Sequence, residues 1–446
     1  MPCKWIPMLE PTQFAQLLQT NQLEGRPLVV ALSGGVDSVA LLLMAVSWAN
    51  NNGIKLSAIH VHHGISPNAD NWADYCESLC KDLGVAFVKK RVVLEKKSRT
   101  SLEQQAREAR YRVIADSIES NSVLLTGHHQ GDQAETFVLR LMRGAGCTGL
   151  SGMSLHSEFP NVIGKAKSLS VLRPFLETKK DDLISFVERN GFKWVEDESN
   201  EVDDFDRNFV RNQVLPTLSE RWPSAAKSIA QSCRILEQEK SLLQDYLLLD
   251  LTKVTKTGFL QCQCLDIESL MSLDKAKWNS LLRLFLQQRV GFYPSQNLLR
   301  QIVEQMFYAR QDQQPQLRCG AFTIFRHGGL IYVKNLATDE LSETKIELNQ
   351  EIDIENPLYS KIEVSASEKL TSEVSIKWGA LSERLMVHSE VGSKPVKQIL
   401  KESGCPALMR RFIPLLYINN KLVAVADLAL EYGLRDQVVV KLTATE

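Results

Sequence analysis

The sequence predicts an α/β fold, a doubly wound parallel sheet, followed by a helical domain and a small α+β domain. Three observations carry this expectation. Strand-like and helix-like runs alternate from about residue 28 to 142. The apolar run Pro27-Leu28-Val29-Val30-Ala31-Leu32 passes through a glycine pair straight into the apolar helix pattern Val39–Met44. The pattern then turns helical near 219 and becomes mixed strand and helix near 372. The expected domains are 1–218, 219–336 and 372–446, with a linker over 337–371; 446 residues are ample for this many.

In order, strands are expected at 28–32, 54–61, 85–93 and 122–126, and helices at 36–49, 68–83, 101–119 and 132–142. A helix over 179–190 and the stretch 203–219 close the first domain. The helix 101–119 shows an apolar stripe of Leu102, Ala106, Ala109, Val113 and Ser117, with Glu103, Arg107 and Arg110 on its flank. Helical spacing returns over Ser228–Leu249, Lys277–Gln287 and Gln296–Tyr308. Residues 316–334 form an expected hairpin with Gly328-Gly329 at its turn. The acid-rich stretch 337–357 alternates apolar with polar residues, fitting a strand-bearing linker or the start of the next domain. Strands at 414–418, 422–427 and 437–442 and a helix at 394–403 complete the chain.

Composition narrows the function. With 52 Lys and Arg against 53 Asp and Glu the net charge is −1, so any nucleic-acid surface must be a local patch. Met1-Pro2-Cys3-Lys4-Trp5 lacks a signal-peptide core, and the apolar run Val39–Val46 is too short to span a bilayer. Nine cysteines without a framework, among them Cys76/Cys80 and Cys262/Cys264, suggest neither zinc nor a thiol relay and fit a cytoplasmic protein.

The chemistry concentrates in two loops that follow strands. Ser33-Gly34-Gly35-Val36-Asp37-Ser38 reads as a phosphate loop. Backbone N–H groups at a helix start point at an anion, Gly34 and Gly35 allow close approach, the serines donate, and Asp37 suits Mg²⁺. The Gly-Lys-Ser/Thr ending of a Walker A loop is absent. This loop resembles that of the N-type ATP pyrophosphatases, which cleave ATP to AMP and pyrophosphate. The second loop is Gly127-His128-His129-Gln130-Gly131-Asp132-Gln133-Ala134-Glu135-Thr136. With a helix beginning near Gly131, His128, Asp132 and Glu135 share a face at i, i+4, i+7 and converge on the same crevice. Arg107 or Arg110 would reach phosphate oxygens as a fork donor; alternatively Glu103 and Arg107 form a surface pair. Arg207 and Arg211 share a face that either meets RNA phosphates or pairs with Asp203 and Asp204.

Together these residues resemble the bacterial tRNA(Ile)-lysidine synthetase family over most of the chain. The likeness rests on the two loops, on Glu103-Gln-Gln-Ala-Arg107-Glu-Ala-Arg110-Tyr111, on Arg143-Gly-Ala-Gly…Gly149-Leu-Ser-Gly152, on Arg173-Pro174-Phe175, on Asp197-Glu-Ser-Asn200 and on Arg207-Asn-Phe-Val-Arg211-Asn212. It continues in Lys394-Pro-Val-Lys397…Pro406…Arg410-Arg411. The resemblance implies a Rossmann-like PP-loop ATPase domain, then tRNA-binding domains. It implies ATP and Mg²⁺ as cofactors, and L-lysine and the isoleucine tRNA with a CAU anticodon as substrates. The C2 oxygen of the first anticodon cytidine would be adenylated, and lysine would then displace AMP. Ser33–Ser38 would bind ATP, Asp37 would hold Mg²⁺, and Arg107 or Arg110 would face the α-phosphate. Asp132 or His128 would deprotonate the lysine amine, and Glu135 would anchor it. Arg173, Asn200, Arg207, Arg211, Lys394, Lys397, Arg410 and Arg411 would touch tRNA. The family often pairs, so a homodimer is among the expectations. Two departures stand out: Gly131 replaces a usual aspartate, and Ser66 replaces an arginine after His62-His63-Gly64-Ile65. A tRNA thiolase would need paired reactive cysteines, absent near the loop; a glutamine-dependent amidating synthetase would need a nucleophilic cysteine or an ammonia-supplying partner; a tRNA-binding protein without catalysis is the third rival.

Overall fold

In the computed structural model the described residues are 10–62, 68–92, 102–159, 168–196, 206–291, 294–310, 313–336, 341–366, 374–388, 392–435 and 437–445. Within these, the side chains of 102–104, 106–107 and 388 are also left undescribed. The chain divides into two compact units, Met1–Gln244 and Asp245–Glu446.

The first unit is built on six strands: β1 (Leu28–Ala31), β2 (Leu56–His62), β3 (Ala86–Arg91), β4 (Val123–Leu125), β5 (His156–Glu158) and β6 (Ser170–Leu172). Their order is β3-β2-β1-β4-β6-β5, all parallel except β5, which runs antiparallel to β6. The expected doubly wound sheet is therefore present. Alternation along β1 shows why it is two-sided. Leu28, Val30 and Leu32 join a core with residues of α1 (Pro11–Thr20) and α2 (Val36–Asn52), while Val29 joins a second core with Ile114 of α4 (Leu102–Ser117) and Ile118 just after it. α3 is Ala69–Asp82.

Two expectations change here. Among the described side chains, the buried face of α4 is Tyr111 and Ile114, continued by Ile118 just past its end, rather than the stripe through Ala109, Val113 and Ser117. Large apolar groups outcompete the small ones for the sheet, because burial scales with apolar area. α1, β5 and β6 were not foreseen; three-residue strands carry almost no periodicity.

The remaining helices are α5 (Gln130–Met142), α6 (Cys147–Leu150), α7 (Lys180–Arg189), α8 (Asp206–Phe209), a π-turn over Val210–Val214, α9 (Leu215–Arg221) and α10 (Ala225–Val254). The division between the units falls inside α10.

In the second unit, helices Lys275–Val290 and Gln296–Ile302 pack on a five-stranded sheet. The foreseen hairpin pairs Phe322–His327 with Leu330–Asn335, and His327 opposite Leu330 leaves Gly328-Gly329 as the two-residue turn. The stretch read as a linker over 337–371 supplies strands Thr344–Ile346, Glu351–Asp353 and Tyr359–Ala366 to the C-terminal sheets. There they pair with Val374–Lys377 and with Val438–Ala444.

Candidate functional site

β1 and β4 are hydrogen-bonded neighbours, with their flanking strands running outward to either side. Their carboxyl ends thus lie at the point where the strand order reverses, the usual crevice of such sheets. Each ends in one of the two polar loops. Gly127 makes the approach possible: a Cβ there would lie 2.8 Å from the Asp37 carbonyl oxygen. A cavity of about 190 Å³ between the loops is lined by Ser33, Asp37, Ser38, Arg110, His128 and Asp132 among others.

The phosphate loop is closed by its own hydroxyls. The Ser33 and Gly34 N–H groups both donate to Ser38 Oγ at 3.2 Å, and Ser38 Oγ donates to the Gly35 carbonyl at 2.9 Å. Two backbone donors thus converge on one oxygen, the geometry a phosphate oxygen needs. β2 supports the loop from behind: buried His60 places Nδ1 2.8 Å from the Leu32 carbonyl. Burial holds the His60 pKa below its ordinary value, with His62 and Lys89 acting in the same direction. Asp37, in the first turn of α2, keeps Oδ1 buried without a hydrogen-bond partner among the described residues. Burial raises its pKa, and Asp132 adds to the rise, against His129, Lys180 and Arg211.

In the second loop, α5 begins at Gln130 and His129 is its N-cap. His128 therefore lies off the helix and shares no helical face with Asp132, contrary to the expected i, i+4 spacing. Its Nδ1 is 2.9 Å from Thr126 Oγ1, and burial takes its pKa down to about 3, with Arg173, Arg207 and Arg110 contributing and Asp132 opposing. His129 accepts from Gly131 N–H on Nδ1, while its own N–H donates to Asp132 Oδ2, both at 2.9 Å. A Cβ at Gly131 would lie 2.7 Å from the His129 ring, so the departure at this position is what admits the ring as a cap. Burial pushes the Asp132 carboxyl up, but His129, His128, Arg207 and the His129 N–H outweigh it and leave the pKa lowered.

The arginines of α8 and the π-turn face inward. Arg207 Nε donates to Glu135 Oε2 at 2.8 Å and Arg211 Nε to Glu135 Oε1 at 2.6 Å. Both guanidiniums also reach Asp132 Oδ1, at 3.3 and 3.4 Å. Glu135 is only 2% exposed. The sequence offered RNA phosphates or Asp203 and Asp204 as their partners; in this structure both arginines are held by the acids of α5. Arg173 differs likewise: it is buried and donates to the Ser154 carbonyl at 2.8 Å and to Ser157 Oγ at 3.2 Å, anchoring the loop before β5.

Arg110 lines the cavity. The Arg107 side chain, Asn200, Asp203, Asp204 and the segment holding Ser66 lie outside the described residues. In the C-terminal unit Lys394 pairs with Glu402 at 2.9 Å and Arg410 Nε donates to the Cys405 carbonyl. Lys397 and Arg411 are exposed, the latter with its guanidinium 4.5 Å from the Phe412 ring centre. Sequence reasoning missed Lys180, at the start of α7, whose charge acts on Asp37. It also gave His129 no role. Tertiary contact reveals the first, and the local cap geometry of α5 the second. No cluster of three metal-binding side chains occurs among the described residues.

Three family patterns match the chain: a PP-loop domain over residues 9–218, a TilS substrate binding domain over 265–332 and a TilS substrate C-terminal domain over 374–438. The tRNA(Ile)-lysidine synthase of Shigella flexneri is 35% identical over 418 residues, 92% of this chain and 93% of the relative. That of Escherichia coli O157:H7 is 33% identical over 431 residues, 92% and 94% of the two chains. That of Vibrio parahaemolyticus is 34% identical over 430 residues, 93% and 94%.

Proposed function

Because this chain belongs to the tRNA(Ile)-lysidine synthase family, we propose that it joins free L-lysine to C2 of the first anticodon cytidine of an isoleucine tRNA with a CAU anticodon, driven by cleavage of ATP to AMP and pyrophosphate. The observation that carries this reading is the adjacency of β1 and β4, which brings the phosphate loop, His128 and Asp132 to one cavity. The C2 oxygen of cytidine is a poor leaving group. Its attack on the α-phosphorus of ATP expels pyrophosphate and makes AMP the leaving group; attack of the neutral lysine amine on C2 then expels AMP. The Ser33–Ser38 loop holds the phosphates and Arg110 faces the α-phosphate, where charge develops. Asp132, ionised by its surroundings, and Glu135 draw the cationic amine toward C2. Asp132 and His128 remain the two candidates to take its proton.

Asp37, whose Oδ1 makes no hydrogen bond among the described residues and has His129 Nε2 3.9 Å away, fits Mg²⁺, an ion that takes one or two carboxylates and completes its shell with phosphate and water. When bound there it would offset charge on the pyrophosphate oxygens. Lys397 and Arg411, with Lys394 and Arg410 beside them, supply the basic surface for tRNA that the near-neutral chain requires.

The test is incorporation of labelled lysine into unmodified isoleucine tRNA with a CAU anticodon, with elongator methionine tRNA as the control. Label in the isoleucine tRNA alone is expected. AMP release without label would leave the activation step standing and sink lysine as nucleophile. Neither label nor AMP would favour a tRNA-binding protein without catalysis. Asp132→Asn is expected to abolish lysine transfer while tRNA retention on a filter is unchanged; retained transfer would remove Asp132 from the site.

A further inference from the structure

The acids assigned to the lysine amine are already occupied. Glu135 Oε1 accepts from Arg211 Nε, and Oε2 accepts from Arg207 Nε at 2.8 Å and a terminal Arg211 nitrogen at 3.0 Å. Asp132 Oδ1 accepts from both guanidiniums and Oδ2 from the His129 N–H. All four carboxylate oxygens are therefore engaged. A third cation entering between two guanidiniums would meet repulsion in a half-dry site, where charges are poorly screened. The ammonium of lysine therefore competes with both guanidiniums for these acids, and an arginine drawn off by another anion would free them for it.

That anion's place is adjacent. Ser33, Asp37 and Ser38 line the same cavity as Asp132. A triphosphate held there offers oxygens to the fork of a guanidinium, which matches phosphate as well as carboxylate. Arg211 also lies in a single π-turn, a feature that recurs at functional sites in helices.

We propose that Arg207 and Arg211 form a latch over Asp132 and Glu135, that bound ATP opens it by taking the arginines onto its phosphates, and that lysine binds only afterwards. This rests on the lysine-ligating reading above. The latch imposes an order: the nucleotide enters first, and the amine is admitted to a site that already holds the group it must displace. It also keeps a strong cation site closed to cellular amines while no ATP is present.

Equilibrium dialysis of labelled lysine against the full-length chain tests the latch without any variant. Lysine is expected to bind at least about tenfold more tightly with a non-cleavable α,β-methylene ATP analogue and Mg²⁺ than without, and by linkage lysine must tighten the analogue by the same factor. Equal lysine affinity with and without the analogue, or no lysine binding in its presence, would overturn the latch. In Arg207→Gln and Arg211→Gln lysine is expected to bind without nucleotide, with the analogue's effect reduced to less than about twofold. Arg211→Lys keeps the charge but loses the fork and is expected to fall between. Variants that kept the full nucleotide dependence would equally overturn it. Lysine incorporation into tRNA by the unaltered chain is scored separately. Incorporation with nucleotide-independent lysine binding removes the latch and leaves the function; absence of incorporation removes the function itself.

Discussion

The two loops that make the crevice are built on opposite plans. The phosphate loop closes its side-chain hydrogen bonds locally: they join Ser33, Gly34, Gly35 and Ser38, all within five residues of one another, and a single backbone bond from Val195 N–H to the Gly34 carbonyl reaches it from afar. In the histidine loop the charges are met from afar: Glu135 and Asp132 are paired with arginines 72 to 79 residues later in the chain. A motif whose partners are local survives as a pattern in the sequence. A motif whose partners are distant exists only once the chain has folded, and it ties the chemistry to the stability of the whole unit.

Substitutions can break this contrast, starting with the largest effect. Asp37→Asn is expected to lower kcat for lysidine formation by about 10²–10³-fold, the scale of losing one electrostatic contact to developing charge. The urea midpoint should be nearly unchanged, because Oδ1 has no hydrogen bond among the described residues to lose. A large stability loss would show that Asp37 helps to hold the loop rather than only facing its ligand. Glu135→Ala should do the reverse to the fold. It strands two partly buried guanidiniums and costs about 3 kcal/mol of stability, read as a shift in urea midpoint. Adding Arg211→Met to Glu135→Ala is expected to recover part of that loss, since the uncompensated charge falls by one.

A smaller effect concerns His60, which supports Leu32 at the end of β1. Its pKa is lowered in the folded state, so the unfolded chain binds the proton more readily. The stability this contributes is complete above the unfolded pKa of about 6.5 and is lost as pH falls from there toward the folded value. His60→Asn should therefore shrink the difference in urea midpoint between pH 7 and pH 5; an unchanged difference would count against it. Gly131→Ala is expected to cost least, about 1 kcal/mol, because the His129 ring must move and the helix loses its cap. Its signature would be a displaced His129 imidazole resonance with the urea midpoint only slightly lowered.

The same contrast explains what was legible. The strand-loop-helix of Leu28–Met44 and the positions of the first four parallel strands follow from apolar patterning, and they appear where the pattern puts them; the order of the strands in the sheet was not legible. The convergence of Ser33–Ser38 with Asp132 follows from loops at the carboxyl ends of parallel strands. What could not be read was the direction in which arginines point. Arg173, Arg207 and Arg211 have the composition of an RNA surface, yet each spends its donors inside the first unit. An arginine beside a carboxylate in space looks identical, in sequence, to an arginine awaiting a phosphate. The helix start moved by one residue for a similar reason. His129 caps α5 with its side chain, and no spacing rule anticipates a histidine ring in that role.

The distance between Glu135 and its arginines also has a consequence in time. At about 5–20 residues per second, a ribosome delivers Arg207 and Arg211 several seconds after Glu135. Until they arrive, a carboxylate destined for 2% exposure has no counter-charge, and seating α5 at the end of β4 would bury it bare. In a chain made from its N-terminus, the acid cluster is thus the part of the crevice whose last partners, Arg207 and Arg211, are synthesised latest; the phosphate loop's distant partner, Val195, comes before them.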